Sequence, residues 1–591
     1  MPDRPLKKPF LALLGLALIH HLTAPVYGGN DAQPFSEPIL EAPTLHCLGV
    51  YWIIRGDENK NARMEIFYKR AGTEPWLQGM DLFRVEKGGN RLQRGRSAVE
   101  VPPDGWLFAG SIVLLNPDTE YELKLQLSDP DGGRGEKLLK ARTLAEPMQT
   151  HPARILHVVP GTGGGSGTPA EPFKGLAIAQ KNARPGDLFL VHAGVYPGTF
   201  EVTRSGEPGQ PIIWRGAGDG ETILDGQGEN STPADRIISA SGLHDVWFEK
   251  LSIRKGIWGL VAHMTQRVVI RRCHFYDLKR GITATRNLDG RLGGMFIADN
   301  LLEGPCRWSD AKHGASVEEN RGIEITGTGN IVCYNRVRGF KDGIDMFPSR
   351  ACVASDVHNN DLSECLDDGC EMDGSERNNR CFHNRLCNVF QGISVQPVYG
   401  GPIYIFRNVL YNVEMEVFKM HNSPSGALFF HNTSVKKGLP LGLWTGAKVR
   451  HCVTRNNLFI GTEASYAFEC DAPMVDCDFD YDGFGGGPFP FFLKWNKTRY
   501  KTLADVQAKA PVYRHVIRVA ASGLFASGIR APDDPKKQYE TTMLDLRPKP
   551  ETPELQVGEV LPGFNKGYAG KAPSLGAYEP GTALPHFGPR P

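Results

Sequence analysis

Side chains that bind cations or transfer protons recur at fixed places in a repeated strand motif. Glycines open five-residue runs of the form Gly-apolar-x-apolar-x. The runs are GLVAH from Gly259, GITAT from Gly281, GIEIT from Gly322, GIDMF from Gly343, GCEMD from Gly369 and GISVQ from Gly392, and the next coil reads VFKMH from Val417. Because side chains alternate along a strand, the apolar residues point inward and the third and fifth positions point to solvent.

Two columns of side chains line this predicted outer face. The third-position residues are Glu324, Asp345, Glu371, Ser394 and Lys419. The fifth-position residues are Thr326, Phe347, Asp373, Gln396 and His421. Carboxylates beside a lysine and a histidine are the groups that cation binding and proton transfer need. The alternative interpretation is a charged surface whose side chains are only solvated.

Carboxylates concentrate at one corner of the face. Asp367 and Asp368 stand immediately before one strand, and Glu371 lies within it. Asp342 precedes the neighbouring strand in the same way, and Asp345 is the third residue of that strand's run. Like charges this close repel unless a cation or a proton relieves them, and several carboxylate oxygens favour Ca²⁺. The corner is therefore a predicted calcium site; a solvated acidic turn is the alternative.

Lys419 is the predicted base. It lies two coils from Glu371, roughly 9.6 Å along the stack at about 4.8 Å per coil, with Ser394 between them. A lysine near Ca²⁺ has its pKa lowered, so a neutral amine could remove the proton that lies α to the carboxylate of a uronate sugar. The reaction would be β-elimination. His421 is a candidate leaving-group acid or substrate contact, and a surface lysine is the alternative interpretation of Lys419.

The same acids are compatible with other functions. Asp345 with Glu371, or Glu371 with Asp373, have separations of about 4.8 and 6.6 Å at the backbone, which span those of glycosidase acid pairs. An epimerase would share the proton abstraction, and a non-catalytic glycan-binding protein would use the face only for contact. The residues predicted to contact a polysaccharide are Asp345, Gln396, Phe347 and Tyr399.

A second repeat identifies the elements that carry these residues. Asparagines recur at spacings of 25, 24, 24, 24 and 24 residues, at Asn335, Asn360, Asn384, Asn408, Asn432 and Asn456. A fixed period of this size indicates a solenoid, in which each coil buries its apolar face only against its neighbours. The asparagines are predicted to form a stacked interior ladder. The predicted class is all-β, with a right-handed parallel β-helix over residues 154–487.

The motifs resemble those of known enzymes. Gly161 to Gly167 (GTGGGSG) is similar to the opening turn of β-helices of the polysaccharide-lyase and pectinase type. Asp367-Asp368-Gly369-x-Glu371, followed by Phe418-Lys419-Met420, resembles the calcium motif and the lysine strand of family-nine pectate lyases. The resemblance implies that Asp367, Asp368 and Glu371 bind calcium, with Asp342 or Asp345 from the preceding coil, and that Lys419 is the base.

Some residues depart from these family patterns. Glu371 replaces the Asp of the calcium motif, and Met420-His421 replaces Leu-Gly. The separation of the motif from the lysine is about half a coil longer than the family implies. The resemblance to pectin hydrolases is partial, because Gln391-Gly392-Ile393 stands where they carry Gly-His-Gly. This last difference ranks a hydrolase below a lyase.

Residues 38–146 predict a separate β-sandwich. Short runs alternate apolar and polar residues between Gly, Pro and Asp, which is typical of antiparallel strands. The segment from Leu115 to Tyr121 resembles the tyrosine corner of fibronectin type III domains, with Trp52 as the core tryptophan. Residues 488–591 predict a cap for the open end of the solenoid, with a closing strand at 572–579.

The N-terminus and the composition suggest export. Basic residues precede an apolar run from Phe10 to Ile19, so residues 1–28 are predicted to be a signal peptide of a secreted, periplasmic or cell-surface protein. No later apolar run reaches about 18 residues, which predicts no membrane span. The 67 basic and 66 acidic residues give no cationic excess for nucleic acid. We expect a monomer with a polysaccharide as its partner.

Overall fold

The computed structural model describes residues 29–87, 99–149, 151–227, 234–286, 292–346, 352–520, 522–565, 567–568 and 570–591. The predicted signal peptide, residues 1–28, lies outside them. The chain is nearly all β: small antiparallel sheets precede a parallel solenoid of about twelve coils, which confirms the predicted fold class. The helices are Leu176–Lys181 and Leu503–Lys509, with 3₁₀ turns at Gly314–Ser316, Thr541–Met543 and Pro553–Leu555. Within the described residues, no helix has the length and apolarity that a membrane crossing requires.

Two antiparallel sheets form the N-terminal part. The first contains Gln33–Pro34, Ile39–Leu40, Leu48–Arg55, Phe83–Arg84 and Gly105–Ile112, and the second Arg63–Arg70, Leu77–Gln78, Glu120–Ser128 and Arg134–Arg142. Alternating apolar residues of both sheets share one core, in which Trp52 is fully buried. The Asn116 N–H donates a 3.0 Å hydrogen bond to the Tyr121 hydroxyl. The membership of this part in the fibronectin type III class, and its boundaries, stay predictions.

Two long parallel sheets form most of the solenoid. The strands of the first are Arg154–Val159, Phe173–Lys174, Asp187–Val191, Ile212–Gly216, Val246–Glu249, Val269–Arg271, Phe296–Ala298, Ile331–Cys333, Asp356–His358, Asn379–Phe382, Tyr399–Phe406, Ser425–Phe430, Val449–Arg450, Val453–Arg455, Met474–Val475 and Asp478–Phe479. The strands of the second are Gly194–Pro197, Phe200–Glu201, Thr222–Asp225, Ala234–Ser239, Ser252–Val261, His274–Ala284, Leu301–Glu303, Arg321–Ile325, Arg336–Arg338, Asp342–Asp345, Asp361–Glu371, Arg385–Ser394, Val409–Val413, Phe418–Lys419, Thr433–Val435, Leu458–Ile460, Gly483–Gly485 and Ile517–Val519.

Two smaller sheets complete the coils. They consist of Cys352–Val353 with Ser375–Arg377, and of Leu441–Leu443, Tyr466–Cys470, Phe491–Trp495 and Thr498–Tyr500. Ile517–Val519 pairs in parallel with Gly483–Gly485, so the stack of strands continues past residue 487. The predicted closing strand at 572–579 is not a strand. That segment lies instead against the side of the coils, where the Gly576 N–H donates to the Asn456 carbonyl at 2.7 Å.

An asparagine ladder runs through the interior. Each side-chain carbonyl accepts the backbone N–H and the side-chain amide of the ladder residue one coil earlier, as Asn384 does for Asn360 at 3.0 Å in both bonds. The members are Asn300, Asn335, Asn360, Asn384, Asn408, Asn432, Asn457 and Asp482. The prediction is wrong at Asn456, because it is Asn457 that accepts the bond from Asn432. Asn456 has φ +61° and bonds the C-terminal tail through Glu559.

The sandwich packs on the side of the solenoid through buried polar contacts. Glu41 accepts 2.6 Å and 2.7 Å hydrogen bonds from Arg377 and Asn378. Asp356 of the solenoid accepts hydrogen bonds at 2.5 Å from the Thr44 hydroxyl of the sandwich and from the fully buried Arg380. If the sandwich moved, these buried charges would lose their partners, which is unfavourable. The contacts therefore favour one position of the sandwich on the solenoid.

Candidate functional site

The second long sheet brings the predicted third-position column together. Glu324 is the direct register partner of Asp345, Asp345 of Glu371, Glu371 of Ser394, and Ser394 of Lys419. Neighbouring strands lie about 4.8 Å apart, so Lys419 lies two coils beyond Glu371. The register of the column is as the sequence predicts.

The column is buried, whereas the sequence predicts that it faces solvent. Asp345 and Ser394 are 0% exposed, and Glu371 is 8% exposed. The neighbouring fifth-position Asp373 is 3% exposed. The physical reason is that charged side chains lie across this face and pair with the column instead of extending into water. Groups outside the coil are therefore still shielded from solvent.

One guanidinium lies at the centre of this face. Arg321 Nη1 pairs with Asp345, and it lies 3.3 Å from Glu371 Oε2 and 3.5 Å from Asp342 Oδ2. The carboxylates within 4.0 Å of the guanidinium are those of Glu319, Glu324, Asp342, Asp345 and Glu371. Burial alone would lower the pKa of Arg321, but these acids outweigh burial and raise it. Arg321 is therefore a permanent positive charge within the site.

Three carboxylates converge beside Arg321, and we call Asp342, Asp368 and Glu371 the carboxylate triad. One oxygen of each lies within 4.8 Å of the others. Asp368 Oδ2 accepts a 2.6 Å hydrogen bond from Lys419 Nζ. Among the described residues, Asp368 Oδ1 has no hydrogen-bond partner although it is buried. The triad therefore contains an acceptor that is directed at no other protein group.

The triad fits a hard divalent cation. Carboxylate oxygens are the ligands that calcium prefers, and a buried acceptor without a partner is unfavourable until something binds it. The triad contains three of the five residues predicted to bind calcium. Asp345 pairs instead with Arg321, and Asp367 is not part of the group of converging oxygens. Calcium itself stays a prediction.

Burial and mutual repulsion raise the pKa values of these acids. Burial is the main cause at Asp342, whose pKa lies well above its usual range although Arg321 opposes the rise. Burial also raises the pKa of Glu371, and the charge of Asp345 is the next cause. Asp367 has a pKa raised to about 6, by burial and then by the charge of Asp368. Protons therefore bind these acids more readily than they bind solvated carboxylates.

Lys419 is held as an ammonium ion. Burial would lower its pKa, but Asp368 and Asp367 outweigh burial and raise it. A charged amine cannot accept a proton. Lys419 can therefore act as a base only after the charge of its acidic neighbours has been neutralised.

A further buried acid lies in the fifth-position column. Asp373 Oδ1 accepts hydrogen bonds from the Ser394 hydroxyl at 2.8 Å and from the Gln396 N–H at 2.5 Å. Burial raises the pKa of Asp373 well above its usual range, and the charge of Asp368 raises it further. Asp373 therefore holds a proton more tightly than a solvated carboxylic acid does. Gln396 is half-buried and reaches this acid through its backbone.

His421 and an aromatic ring lie at the far end of the column. His421 Nε2 is 2.9 Å from Glu416 Oε2, and Glu416 Oε1 accepts the Trp444 backbone N–H at 3.0 Å. The half-buried Trp444 ring packs directly on Gly442, in the coil that follows Lys419. Glu416 thus links the predicted histidine to the segment that carries the Trp444 ring.

Tyr399, one of the residues predicted to contact substrate, lies outside the two columns. Tyr399 opens a strand of the other long sheet and is 4% exposed, so its ring is covered and cannot stack on a sugar as predicted. The sequence does not distinguish an exposed aromatic residue at a turn from a buried one at the start of a strand. The difference depends on which residues of the neighbouring coil cover the ring. Phe347 lies outside the described residues.

The sequence analysis did not select Arg321, because Arg321 stands immediately before the glycine of its strand and occupies neither the third nor the fifth position. A Cβ at Gly369 would lie 2.6 Å from Leu386 Cδ2, so this position faces the crowded interior. The residue before such a glycine then faces outward, at the site, as Arg321, Asp342 and Asp368 do. The available signal was therefore the residue type immediately before each glycine.

Comparisons with known proteins leave the family open. No family model matches the chain. An uncharacterized protein, YwoF, of Bacillus subtilis strain 168 is 32% identical over 104 residues, which are 17% of this chain and 22% of YwoF. The chain thus spans about a fifth of the length of this curated relative.

Solved structures resemble the chain weakly. XylC in complex with xylose has 10% identity and a TM-score of 0.38, over 72% of this chain and 98% of XylC. A family 28 exopolygalacturonase of Yersinia enterocolitica has 10% identity and a TM-score of 0.24, over 83% and 99%. The catalytic domain of a GH87 α-1,3-glucanase in complex with nigerose has 11% identity and a TM-score of 0.31, over 85% and 88%. Scores this low do not establish a shared activity.

Proposed function

We propose that the protein is an exported polysaccharide lyase that cleaves a uronate-containing polysaccharide by β-elimination with the help of calcium. One observation carries the proposal: Lys419 Nζ lies 2.6 Å from Asp368, a member of a buried triad of carboxylates. This arrangement couples a potential base to a potential cation site. A base whose strength depends on a neighbouring cation suits the removal of a proton next to a carboxylate.

The triad is the proposed cation site. Asp342, Asp368 and Glu371 would hold Ca²⁺, and the unpartnered Asp368 Oδ1 supplies a ready ligand atom. Bound calcium would neutralise the triad and the uronate carboxylate, which lowers the pKa of Lys419 and makes the C5 hydrogen more acidic. The sequence resemblance to family-nine pectate lyases points to the same residues.

Lys419 is the proposed base, and its surroundings suit that role. The lysine is partly buried, and the small residue Ser394 lies between it and Glu371 in the column. Its Nζ would take the proton from C5; the electron pair forms the C4=C5 double bond, and the C4–O4 bond breaks. The departing oxygen must gain a proton, for which His421, close to Glu416, is the proposed donor.

The experiment is an assay of the mature protein on a panel of uronate polymers, with added calcium or with a chelator. We expect an ultraviolet absorbance from the new C4=C5 double bond that grows only with calcium. Lys419→Ala should lower the rate by about 10³-fold, because it removes the proposed base. Lys494→Ala is the matched control, since Lys494 is also ion-paired on this side of the solenoid, to Glu469 at 2.8 Å, and should keep its rate.

A glycoside hydrolase is the second candidate, and the raised pKa of Asp373 favours it. A protonated Asp373 could act as general acid, with Glu371 as nucleophile or base. The same assay separates the two: new reducing ends without the absorbance, lost in Asp373→Asn but kept in Lys419→Ala, would replace the lyase by a hydrolase. If neither the absorbance nor new reducing ends appear, but the protein still binds glycan, the protein is non-catalytic.

A further inference from the structure

Each member of the carboxylate triad has a cationic side chain of the protein beside it. Arg321 Nη1 lies 3.5 Å from Asp342 Oδ2 and 3.3 Å from Glu371 Oε2. Lys419 Nζ lies 2.6 Å from Asp368 Oδ2. Two positive charges thus lie beside the three carboxylates that the proposed function assigns to calcium: Arg321 lies beside Asp342 and Glu371, and Lys419 lies beside Asp368.

Arg321 has other carboxylates to which it can hold. It pairs with Asp345 through Nη1, lies 3.2 Å from Glu319 through Nη2, and lies 3.8 Å from Glu324 through Nε. Giving up Asp342 and Glu371 would therefore not leave the guanidinium as an unpaired buried charge. This distinguishes it from Lys419, whose one described ion pair is with Asp368.

Electrostatics make Arg321 and a divalent cation competitors for the triad. Charges about 4 Å apart interact strongly inside a protein even at an effective dielectric constant near 20, and a guanidinium this close repels an incoming cation. The guanidinium also uses oxygens of Asp342 and Glu371 that a cation would need. The same contacts stabilise the acids, which would otherwise be buried without a counter-charge.

We propose that Arg321 is a built-in competitor that weakens the binding of divalent cations to the triad and keeps Asp342 and Glu371 paired when no cation is bound. Arg321 is thus a positioning residue that sets the cation concentration at which the site fills. The inference rests on the proposed function only in using the same triad; it requires no particular sugar and no turnover.

The test is a calorimetric titration of the whole chain with Ca²⁺ alone, without any sugar. We expect Arg321→Gln to bind Ca²⁺ at least tenfold more tightly than the unchanged protein. Arg280→Gln is the matched control, because Arg280 is the register partner of Arg321 one coil away and pairs with Glu324 at 2.6 Å. Arg280 contacts no triad oxygen among the described residues, so its removal should change the affinity less than twofold.

Thermal unfolding supplies a second readout. In chelator, Arg321→Gln should melt at a lower temperature than the unchanged protein, and calcium should raise its melting temperature by a larger amount. Arg321→Lys, which keeps the charge, guards against a variant that fails to fold; it should bind Ca²⁺ with an affinity between those of the unchanged protein and Arg321→Gln.

The inference is overturned if Arg321→Gln binds Ca²⁺ no more tightly than the unchanged protein, or if none of the proteins binds it. Weaker binding by the variant would mean that Arg321 orients the acids for the cation and does not compete with it. Tighter binding by Arg321→Gln without any lyase activity in the unchanged protein would support the inference and contradict only the proposed function.

Discussion

Asp482 ends the buried asparagine ladder with a side chain that can ionise. Its Oδ1 accepts the Asn457 N–H at 2.8 Å and the Asn457 amide at 2.9 Å, and its Oδ2 accepts the Tyr513 hydroxyl at 3.1 Å. Burial raises the pKa of Asp482 from 3.8 to about 6 in spite of these hydrogen bonds. Because the folded pKa is the higher one, the stabilising contribution of this group is complete below about pH 4 and is lost as the pH rises through about 6.

Asp482→Asn should therefore stabilise the protein at pH 8 but not at pH 4. The shift of about two pKa units corresponds to at most about 3 kcal/mol, and the amide keeps the carbonyl that Asn457 needs. The measurement is the free energy of unfolding by urea at both pH values, for both proteins. A variant that is less stable than the unchanged protein at pH 8 would contradict the prediction.

Residue types and spacing located most residues of the candidate site but not the ion pairs that they form. Glu371, Asp368 and Lys419 could be found because they occupy a repeated position or a short motif. The burial of Asp345 could not be predicted, because it depends on Arg321, which reaches across two coils. A periodic pattern predicts the direction in which a side chain points. Its burial depends on residues that are distant in sequence.

At the scale of the strands, glycines fix where each coil enters the site face. Position 369 faces the interior, where a Cβ would lie 2.6 Å from Leu386 Cδ2 and 3.0 Å from the Gly392 carbonyl oxygen. A side chain at this position would displace the Leu386 side chain and crowd the backbone of the next coil. These glycines thus hold adjacent coils close enough for the carboxylates to converge.

Gly369→Ala should destabilise the protein by about 2 kcal/mol, because overpacking displaces Leu386 or the next strand. Gly446→Ala is the matched control, since a Cβ at Gly446 meets no atom within 4 Å. The free energy of unfolding from urea denaturation measures both. An equal effect of the two substitutions would show that the close approach at Gly369 has no energetic importance.

The register of the strands could be predicted from the sequence. Which of the two adjacent asparagines, Asn456 or Asn457, belongs to the ladder could not. The 24-residue period located the ladder, but Asn456 and Asn457 are adjacent and both are asparagine. Only the fold shows that Asn456 has a left-handed backbone and turns outward to the tail. Two identical neighbours cannot be separated by periodicity alone.

At the scale of the whole molecule, the sandwich and the solenoid share a polar interface. Glu41 is held by Arg377 and Asn378, and the side chains of Glu41 and Arg377 are each less than a tenth exposed. Breaking one partner of a buried ion pair leaves an uncompensated charge, which is strongly unfavourable. The two parts should therefore unfold together.

Glu41→Ala should lower the stability of this interface by about 3 kcal/mol and split thermal unfolding into two transitions. Glu37→Ala is the control, because Glu37 forms an exposed pair with Lys137 inside the sandwich at 2.7 Å. Differential scanning calorimetry distinguishes the two cases. Two transitions in the unchanged protein would show that the parts are thermodynamically independent already.

The ladder also bears on how such a protein can diversify. Asn300 and Asn335 are 35 residues apart, whereas Asn335 and Asn360 are 25 apart, yet the bonds are equivalent at 3.1 and 3.0 Å. The loop between Leu301–Glu303 and Arg321–Ile325 has 17 residues, against three between Arg336–Arg338 and Asp342–Asp345 in the next coil, and it ends beside the site at Arg321. Insertions of this kind can accumulate at that corner during evolution without shifting the strands that follow. The chain can thus acquire a new specificity through changes in one loop while the spacing between its coils stays constant.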